Sequence, residues 1–310
     1  MSKTNTMENM EPEVSIIVPV YNGEKNIAEC IESLLNLDYP REKLEIIIVD
    51  NNSKDRTKEI IEKYEVKYLF EARRGQFYAR NTGIENSKGE LLAFTDSDCV
   101  VDKNWLKYLV RNFTHEEIGG VGGKVVAYKP ASIVEKYSAM FVLNQENNIN
   151  EKMPYIITAN AAYRRSVFED VGLFDGAQFS GGDVDMGWRV VWGGYKLVYE
   201  PNAIVYHKHR TSLFHSLFQL FKQFFRYGVW HTRLFKKHRE KLGKRYEIDL
   251  YTYRVILSNL FLRLPWRLLT FYNKEEKALY VAIPICKATE LIGSKLGLII
   301  GSIKNKVVCI

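Results

Sequence analysis

The sequence predicts an α/β fold in which a doubly wound, mainly parallel sheet is followed by a C-terminal helical region. Two observations predict the sheet: four short apolar runs occur between positions 14 and 95, and segments with helical periodicity separate them. Strands that are apolar along their whole length and alternate with helices are typical of parallel sheets covered on both faces. A third observation, a change to basic and apolar residues near position 213, predicts the helical region.

The first hundred residues supply the elements of this sheet in chain order. Strands are predicted over 14–20, 44–49, 66–70 and 91–95, and helices over 27–37, 57–64 and 76–86. The first helix is predicted because apolar residues recur in it with a helical period. Ser53 is predicted to cap the second helix, since serine is a preferred residue at a helix N-terminus.

After position 100 the pattern is looser. Strands are predicted over 121–128 and 155–159, a short helix over 166–171, and glycine-bracketed turns over 119–123. The glycine cluster does not fit a phosphate-binding loop, because Ile118 occupies the position of the leading glycine and Val125 replaces the required Ser or Thr. No G-x-G-x-x-G follows the first strand, which argues against a dinucleotide site of the Rossmann type.

Composition indicates a globular protein with reduced thiols. The 310 residues are 46% hydrophobic and 26% charged, which is ordinary for a folded chain. Residues 1–12 are polar and acidic, without the apolar segment of a secretory signal, and are predicted to be a short disordered leader. The four cysteines show no paired spacing, which indicates reduced thiols in the cytosol.

The net charge of +7 is unevenly distributed. Residues 204–310 contain 20 Lys and Arg but only 6 Asp and Glu, whereas the rest of the chain is net acidic. This basic region predicts an anionic partner, and its many Leu, Ile, Phe and Trp residues favour a membrane surface over nucleic acid. Charged residues interrupt the apolar stretches 253–272 and 278–303, so these are predicted to be interfacial amphipathic helices. The alternative is a helical bundle packed on the rest of the protein.

The strongest functional feature is the acidic triplet Asp96-Ser97-Asp98 behind the fourth predicted strand. Open α/β sheets bind ligands at the carboxyl ends of their strands, and residues i and i+2 of a strand face the same side. The two carboxylates can therefore bind one hard cation that bridges to a phosphorylated substrate. The alternative is a polar loop without a ligand.

Further polar residues are predicted at the same edge of the sheet. Asp50 ends the second strand and either accepts hydrogen bonds from a nucleoside or caps the following turn. Arg80 either pairs with a diphosphate or is a solvated helical arginine. Tyr21 either stacks on a base or packs within the protein. Small residues at 180–182 allow a substrate to approach Asp183, although helix capping would also explain this aspartate.

In this order, the motifs resemble those of the family 2 glycosyltransferases, enzymes with the GT-A fold, over roughly residues 14–235. The resemblance rests on the opening strand with Tyr21-Asn22, the turn Asp50-Asn51-Asn52-Ser53, the segment Ala79-Arg80-Asn81, the triplet Asp96-Ser97-Asp98, and Asp183. One position departs from the family pattern. Gly182 stands where the family usually has a glutamate, so the acceptor pocket has lost a carboxylate.

The resemblance implies inverting transfer of a sugar from a nucleotide diphosphate sugar, expected to be a UDP-sugar, to an acceptor hydroxyl. It implies that Asp183 is the catalytic base and that Mg²⁺ or Mn²⁺ is the cofactor, held by Asp98, Asp96 and His207. The implied nucleotide contacts are Pro19, Tyr21, Asn22, Glu24, Asp50, Arg80 and Asp96. The implied acceptor contacts are Gly182, Trp188 and Arg189.

The resemblance also implies a domain organisation. A catalytic domain is expected over 13–212, with a nucleotide-binding half of about 13–100 and an acceptor half of about 101–212. A basic amphipathic helical region is expected over 213–310. The expected acceptor is a glycan or lipid-linked glycan in the synthesis of a cell-envelope polysaccharide, glycolipid or glycoconjugate.

The expected location is cytoplasmic, peripheral on the inner face of the cytoplasmic membrane, with an anionic membrane surface and no nucleic acid as partner. Two alternatives remain. A sugar nucleotidyltransferase would need a basic phosphate-binding loop, where this chain has Tyr21-Asn22-Gly23-Glu24. A catalytically inactive, membrane-bound scaffold would bind the nucleotide sugar without turning it over.

Overall fold

A computed structural model describes residues 11–129, 133–138, 142–151, 153–208, 213–242 and 274–306. The predicted leader, apart from residues 11 and 12, and the predicted helix over 253–272 lie outside these residues. The chain divides into two compact units. The first comprises residues up to 126, 145–177 and 183–207, and the second comprises 127–144, 178–182 and the chain from 208 onward.

The first unit is built on one sheet, which has eight strands among the described residues. They are β1 (Val14–Val20), β2 (Leu44–Asp50), β3 (Lys67–Phe70), β4 (Leu91–Thr95), β5 (Cys99–Val101), β6 (Ile118–Ala127), β7 (Asn160–Arg164) and β8 (Lys196–His207). Their order across the sheet is β3-β2-β1-β4-β7-β6-β8-β5. Strands β1 to β4 pair in parallel, whereas the pairs β4–β7, β6–β7 and β5–β8 are antiparallel. The predicted α/β class is confirmed, with parallel pairing confined to one half of the sheet.

Helices follow most strands, as the alternation of patterns predicts. They are α1 (Ile27–Leu35), α2 (Thr57–Ile61), α3 (Gln76–Glu85), α4 (Trp105–Val110), α5 (Ile133–Tyr137), α6 (Gln145–Ile149), α7 (Arg165–Val171), α8 (Gly182–Trp192), α9 (Leu213–Lys237), α10 (Arg239–Leu242) and α11 (Lys274–Asn305). Successive residues of β1 enter different cores, since Ile16 packs with Trp105 of α4 whereas Ile17 packs with Phe94 and Phe168. Burial on both faces explains why these strands read as unbroken apolar runs.

Two predictions in this unit are wrong for local reasons. Ser53 does not cap α2, because Arg56 occupies the N-cap position of that helix. The Ser53 Oγ instead accepts a hydrogen bond from the Asn22 amide at 2.9 Å. Residues 155–159 are not a strand, and the strand follows at 160–164. The Gln145 amide donates to the carbonyls of Ile157 and Asn160 and accepts from the Ile157 amide, so it replaces the hydrogen bonds of a neighbouring strand.

The glycine cluster predicted as turns lies inside β6. A Cβ atom at Gly120 would lie 2.7 Å from the ring of Tyr163, and one at Gly123 would lie 2.3 Å from the Ala203 carbonyl oxygen. The glycines are therefore explained by neighbouring groups that cross the face of the strand, where a side chain would not fit.

The second unit, where described, consists of helices α5, α9, α10 and α11 with short connecting segments. The long helices α9 and α11 pack along each other, and a small apolar core joins them to α5. Its buried members are Val134, Tyr137, Leu220 and Cys286. The Tyr137 hydroxyl donates to Glu290 at 2.6 Å, which satisfies a carboxylate that is almost fully buried. Within the described residues, none of the helices combines the length and apolar character that crossing a membrane requires.

Candidate active site

An open cleft of about 240 Å³ lies at the carboxyl ends of β1 and β4. This is the edge at which the sequence predicts a site, because parallel strands bring the residues that follow them to one place. Its lining consists of Pro19, Val20, Tyr21, Asn51, Gln76, Asp96, Ser97, Asp98 and His207. The cleft therefore contains the acidic triplet together with residues that follow β1 and β2 or end β8.

Asp98 and His207 meet because of the register between β5 and β8. Cys99 opens β5 and pairs with His207, the last residue of β8, so the preceding Asp98 lies beside the imidazole. Asp98 Oδ1 is 3.6 Å from His207 Nε2. Ligand atoms of Asp98, Cys99 and His207 all lie within 4.8 Å of one another. Asp98 and His207 were among the metal ligands predicted from the sequence, whereas Cys99 was not.

The chemistry of these groups fits a divalent cation. A partly exposed carboxylate and a partly exposed imidazole supply one oxygen and one nitrogen ligand at the cleft. This set suits Mn²⁺ better than Mg²⁺, which takes oxygen ligands almost entirely. The Cys99 thiol is fully buried, and burial raises its pKa well above the usual value. That shift favours the thiol form, which is a poor metal ligand.

Arg80 is a buried charge that binds the other carboxylate of the triplet. Its side chain is 1% exposed, and its Nη2 donates to Asp96 Oδ1 at 2.6 Å. The guanidinium lies over the ring of Phe77, and its Nε and Nη1 have no hydrogen-bond partner among the described residues. The alternative of a solvated arginine is therefore wrong. Because Asp96 is engaged by Arg80, the two carboxylates of the triplet occupy different environments.

Asp183 lies in the first turn of α8 and is partly exposed. Its Oδ1 accepts a hydrogen bond from the Thr158 hydroxyl at 2.9 Å. Burial raises its pKa above the usual value, opposed by the positive charge of Arg80 and the Thr158 hydrogen bond and assisted by the charge of Asp96. A carboxylate with a raised pKa is a stronger proton acceptor, as a general base requires. Thr158 lies in the segment predicted as a strand, and sequence reasoning did not single it out.

Tyr21 lines the cleft and is 42% exposed. The Arg74 guanidinium lies 4.8 Å from the centre of this ring, and its Nη2 donates to the Tyr21 hydroxyl at 3.2 Å. Asn51 shapes the loop that carries Arg74, since its side chain donates to the Arg73 carbonyl and accepts from the Gly75 amide. Sequence reasoning missed Arg74 and Asn51, although the two arginines before Gly75 were a visible signal.

Asn22 and Glu24 hold the turn after β1 against the loop after β2. Asn22 Oδ1 accepts from the Lys54 amide at 2.8 Å, and Glu24 accepts from the Arg56 amide at 3.3 Å. Asn22 has a φ of 50°, a left-handed conformation that asparagine tolerates better than most residues. Neither residue is part of the cleft lining, and their predicted contacts with a nucleotide stay predictions.

Asp50 is buried at the end of β2 and binds within the protein. Its carboxylate accepts from the Ser53 amide at 2.9 Å and from the Tyr68 hydroxyl at 3.2 Å. Burial, followed by the charge of Asp50, raises the pKa of Tyr68 to about 12, so this hydroxyl remains a donor at neutral pH. The hydrogen bond from the Ser53 amide is the one expected of an aspartate that caps the turn after β2. The contact of Asp50 with a nucleoside stays a prediction.

The predicted acceptor residues lie on α8. Trp188 is 7% exposed with its ring beside Trp192, and Gly182 begins the helix. Arg189 pairs with the buried carboxylate of Asp185 at 3.0 Å. Its other nitrogens donate to the carbonyls of the last residue of α7 and of the two residues that follow, so it anchors the end of this helix and the adjoining loop. Direct contacts of these residues with an acceptor stay predictions.

Comparison with known proteins gives consistent matches. The profile of "Glycosyl transferase family 2" matches residues 15–172. Glycosyltransferase AglE of Haloferax volcanii is 33% identical over 253 residues, which cover 79% of this chain and 81% of that protein. A dolichyl N-acetyl-alpha-D-glucosaminyl phosphate 3-beta-D-2,3-diacetamido-2,3-dideoxy-beta-D-glucuronosyltransferase of Methanococcus voltae is 28% identical, covering 64% of this chain and 68% of that protein. Several other relatives are matched over only about half of their own length.

Among solved structures, the mannosyltransferase PcManGT from Pyrobaculum calidifontis, in complex with GDP-Man and Mn²⁺, has a TM-score of 0.63. It is 17% identical, and the match covers 93% of this chain and 88% of that one. At this identity the likeness establishes the fold alone. The GT-A fold predicted from the sequence is confirmed.

Proposed function

The chain belongs to glycosyl transferase family 2, and on this premise we propose that it moves a sugar from a nucleotide diphosphate sugar to an acceptor hydroxyl with inversion. In this proposal the cleft binds the donor, Asp98 and His207 hold a divalent cation, and Asp183 is the base. The observation that carries it is the position of Arg80, which is hydrogen-bonded to Asp96 in the cleft and whose charge acts on Asp183. Arg80 thus connects the donor cleft with the proposed base.

The proposed donor is a UDP-sugar, as the family resemblance implies. Pro19 and Tyr21 offer apolar surface to the nucleotide, and Arg74 brings a cation to the same mouth of the cleft. Guanosine and thymidine donors are the alternatives, and the mannosyltransferase of the same fold holds GDP-Man. Asp50 is proposed as the nucleoside contact on the basis of the resemblance.

A divalent cation held by Asp98 and His207 would offset the negative charge of the donor diphosphate. Asp98 supplies the carboxylate, and the imidazole of His207 lies opposite it. Asp96 is proposed to act mainly through Arg80, because one of its carboxylate oxygens accepts the hydrogen bond from the Arg80 guanidinium. The two aspartates of the triplet therefore have separate roles in this proposal.

The proposed reaction exchanges one bond and moves one proton. The acceptor oxygen forms a bond to the anomeric carbon while the bond from that carbon to the diphosphate breaks, and the electron pair leaves with the diphosphate. The hydroxyl proton passes to the Asp183 carboxylate, which Thr158 orients. General base catalysis of this kind contributes about 10²- to 10⁴-fold to the rate.

The proposed acceptor is a glycan or lipid-linked glycan used in the synthesis of a polysaccharide, glycolipid or glycoconjugate. The Methanococcus voltae relative supports a lipid-linked acceptor, since its name specifies a dolichyl-linked one. The proposed location is peripheral on the inner face of the cytoplasmic membrane, supported by the basic and apolar region after position 204. The family match argues against the sugar nucleotidyltransferase alternative.

A donor screen for released nucleotide, run with and without Mn²⁺, tests this function. We expect one nucleotide class to be released in the presence of Mn²⁺ and an acceptor lipid or glycan. The variant Asp183→Asn is expected to lower transfer by at least about 10²-fold because it cannot accept the proton. Its donor affinity, measured by calorimetry, is expected to stay within about twofold, since the base contacts the acceptor.

Two outcomes would contradict the proposal. Near-normal turnover by Asp183→Asn would remove Asp183 as the base. Donor binding without nucleotide release from any donor, including by slow hydrolysis, would favour the inactive scaffold.

A further inference from the structure

Helices α9 and α11 form a parallel pair with very close backbone contact. Three glycines spaced four residues apart on α11 approach the backbone of α9 so closely that a Cβ atom on any of them would lie within 3 Å of it. They are Gly293, Gly297 and Gly301, against Phe221, Phe225 and Val229 respectively. Positions rise together along both helices, so the helices run in the same direction. Small residues at this spacing allow helix backbones to pack tightly.

The exposed side of α11 is an apolar stripe. It consists of Ile292, Leu296, Ile299, Ile300 and Ile303. An α-helix turns about 100° per residue, so these five positions lie within a sector of about 100° around the helix axis. The centre of this sector is rotated about 115° from the glycines that contact α9. Leu296 is 43% exposed and Ile303 is 74% exposed, so the stripe has no cover in the described structure.

The exposed side of α9 is a cationic stripe. Its members are Lys222, Arg226, Arg233 and Lys237, with the exposed Phe218 on the same side. These cations fall within about 60° of the circumference, turned about 90° from the residues that contact α11. Viewed along the common direction of the two helices, the cationic stripe of α9 is rotated from its contact line in one sense, and the apolar stripe of α11 is rotated from its contact line in the opposite sense. Because the two contact lines face each other, both stripes point to the same side of the helix pair. We call this surface of ten residues the α9–α11 face.

The charge of the α9–α11 face has one sign only. The sequence contains no Asp or Glu from position 213 to 239 or from 291 to 306. An amphipathic surface of this kind inserts apolar side chains about 5–10 Å into the boundary between lipid headgroups and acyl chains. Lys and Arg beside such a boundary are attracted to anionic headgroups.

We propose that the α9–α11 face docks on an anionic lipid surface, with the α11 stripe entering the boundary region and the α9 cations contacting headgroup phosphates. The inference rests on the peripheral membrane location given under the proposed function and specifies the surface and the lipid class. The glycine contacts fix the two stripes relative to each other, because they bring the two backbones together.

A second copy of the chain is a poorer occupant of this face. In a twofold dimer the same patch contacts itself, so each cationic stripe would meet either the other cationic stripe or an apolar stripe. The first arrangement is repulsive, and the second buries charges without partners. An anionic lipid surface offers both an apolar layer and negative charge.

Vesicle flotation of the full chain tests the proposal directly. Wild type is expected to float with vesicles of phosphatidylglycerol and phosphatidylcholine, and to bind phosphatidylcholine alone at least about tenfold more weakly. Arg226→Glu/Arg233→Glu is expected to weaken binding to the anionic vesicles by at least about 20-fold, since each cation contributes about fivefold. Leu296→Ser/Ile303→Ser is expected to weaken it by about tenfold or more.

Two control variants change the charge or remove an apolar side chain outside the α9–α11 face. Lys63→Glu/Lys88→Glu makes the same change in net charge on exposed positions of the first unit, and Phe70→Ser removes a side chain that is 54% exposed there. Both controls are expected to bind vesicles within about twofold of wild type. Circular dichroism and thermal melting check that each variant is folded.

Several outcomes would overturn the proposal. The first is that wild type does not bind anionic vesicles. The second is that the control variants lose as much vesicle binding as the α9–α11 variants, and the third is that wild type binds neutral vesicles as well as anionic ones. A concentration-dependent dimer that the α9–α11 variants dissociate would assign the face to a second copy. Flotation does not depend on sugar transfer, so failure of the donor screen with normal flotation would count against the proposed function alone.

Discussion

The two halves of the sheet contribute to the site in different ways. In the parallel half, Tyr21, Asn51 and Asp96 reach the cleft because each directly follows a strand. In the antiparallel half, His207 at the end of β8, and with it Asp183 on helix α8, are positioned by contacts with residues that are distant in sequence, such as Asp98 and Thr158. The difference teaches that residues next to strand ends bring one side of the cleft together, whereas the proposed cation site and the proposed base depend on long-range packing.

The largest effect is expected where the two halves meet, at the acidic triplet. Asp98→Asn should lower Mn²⁺ affinity by about 10²-fold, because it removes the charge of the proposed ligand that faces His207. Asp96→Asn should lower it by less than about threefold, since Asp96 is engaged by Arg80. Electron paramagnetic resonance of free Mn²⁺, without donor, measures both. Equal losses in the two variants would mean that both carboxylates are ligands.

A second prediction concerns the stability of the antiparallel half. Gln145→Ala should lower the free energy of unfolding by about 2–3 kcal/mol, because it leaves the buried backbone groups around Ile157 and Asn160 without partners. Urea denaturation measures the change. Gln76→Ala, at an exposed position of α3, is the control and should change stability by less than about 0.5 kcal/mol. A loss below about 1 kcal/mol for Gln145→Ala would show that water replaces the amide.

The same contrast explains how far the sequence could be interpreted. The strands of the parallel half were predicted to within one residue at each end, since burial on both faces makes them unbroken apolar runs. Strand β7 was missed because a side-chain amide, that of Gln145, satisfies the backbone before it. The glycines of β6 predict turns, which is wrong, because the rings and carbonyls that exclude a side chain there belong to distant segments.

For the site, the residue types were predictable but their partners were not. Asp98 and His207 were grouped by family resemblance, and the register of β5 with β8 supplies the physical reason. The pairing of Arg80 with Asp96 could not be read from the sequence, since a helical arginine is usually solvated. Thr158 carries no local signal, because its role depends on the approach of α8.

The third prediction sharpens the role of the antiparallel half through pH. Loss of the proton-accepting form of Asp183 should lower kcat/KM as the pH falls through its pKa, which burial raises. The groups that act on it are Arg80, Thr158 and Asp96. Thr158→Ala removes a hydrogen bond that lowers this pKa, so the acidic limb should move to higher pH and activity at pH values near that limb should fall.

A pH profile of kcat/KM for wild type and Thr158→Ala measures this shift. Thr289→Ala, which removes a hydroxyl bonded within α11, is the control and should leave the limb in place. A limb that moved to lower pH in Thr158→Ala would contradict the proposed environment of the base.

The smallest effect is expected in the parallel half, at the residue that covers Tyr21. Arg74→Ala should raise the KM for the donor about threefold with little change in kcat, because an exposed cation–π contact contributes about 0.5–1 kcal/mol. Arg41→Ala, which removes an exposed arginine that is not part of the cleft lining, is the control and should leave the KM unchanged. Steady-state kinetics with the donor identified in the screen measures both constants. A fall in kcat at unchanged KM would instead connect Arg74 with the transfer step, and the division between a donor cleft formed by strand ends and a base positioned by packing would no longer hold.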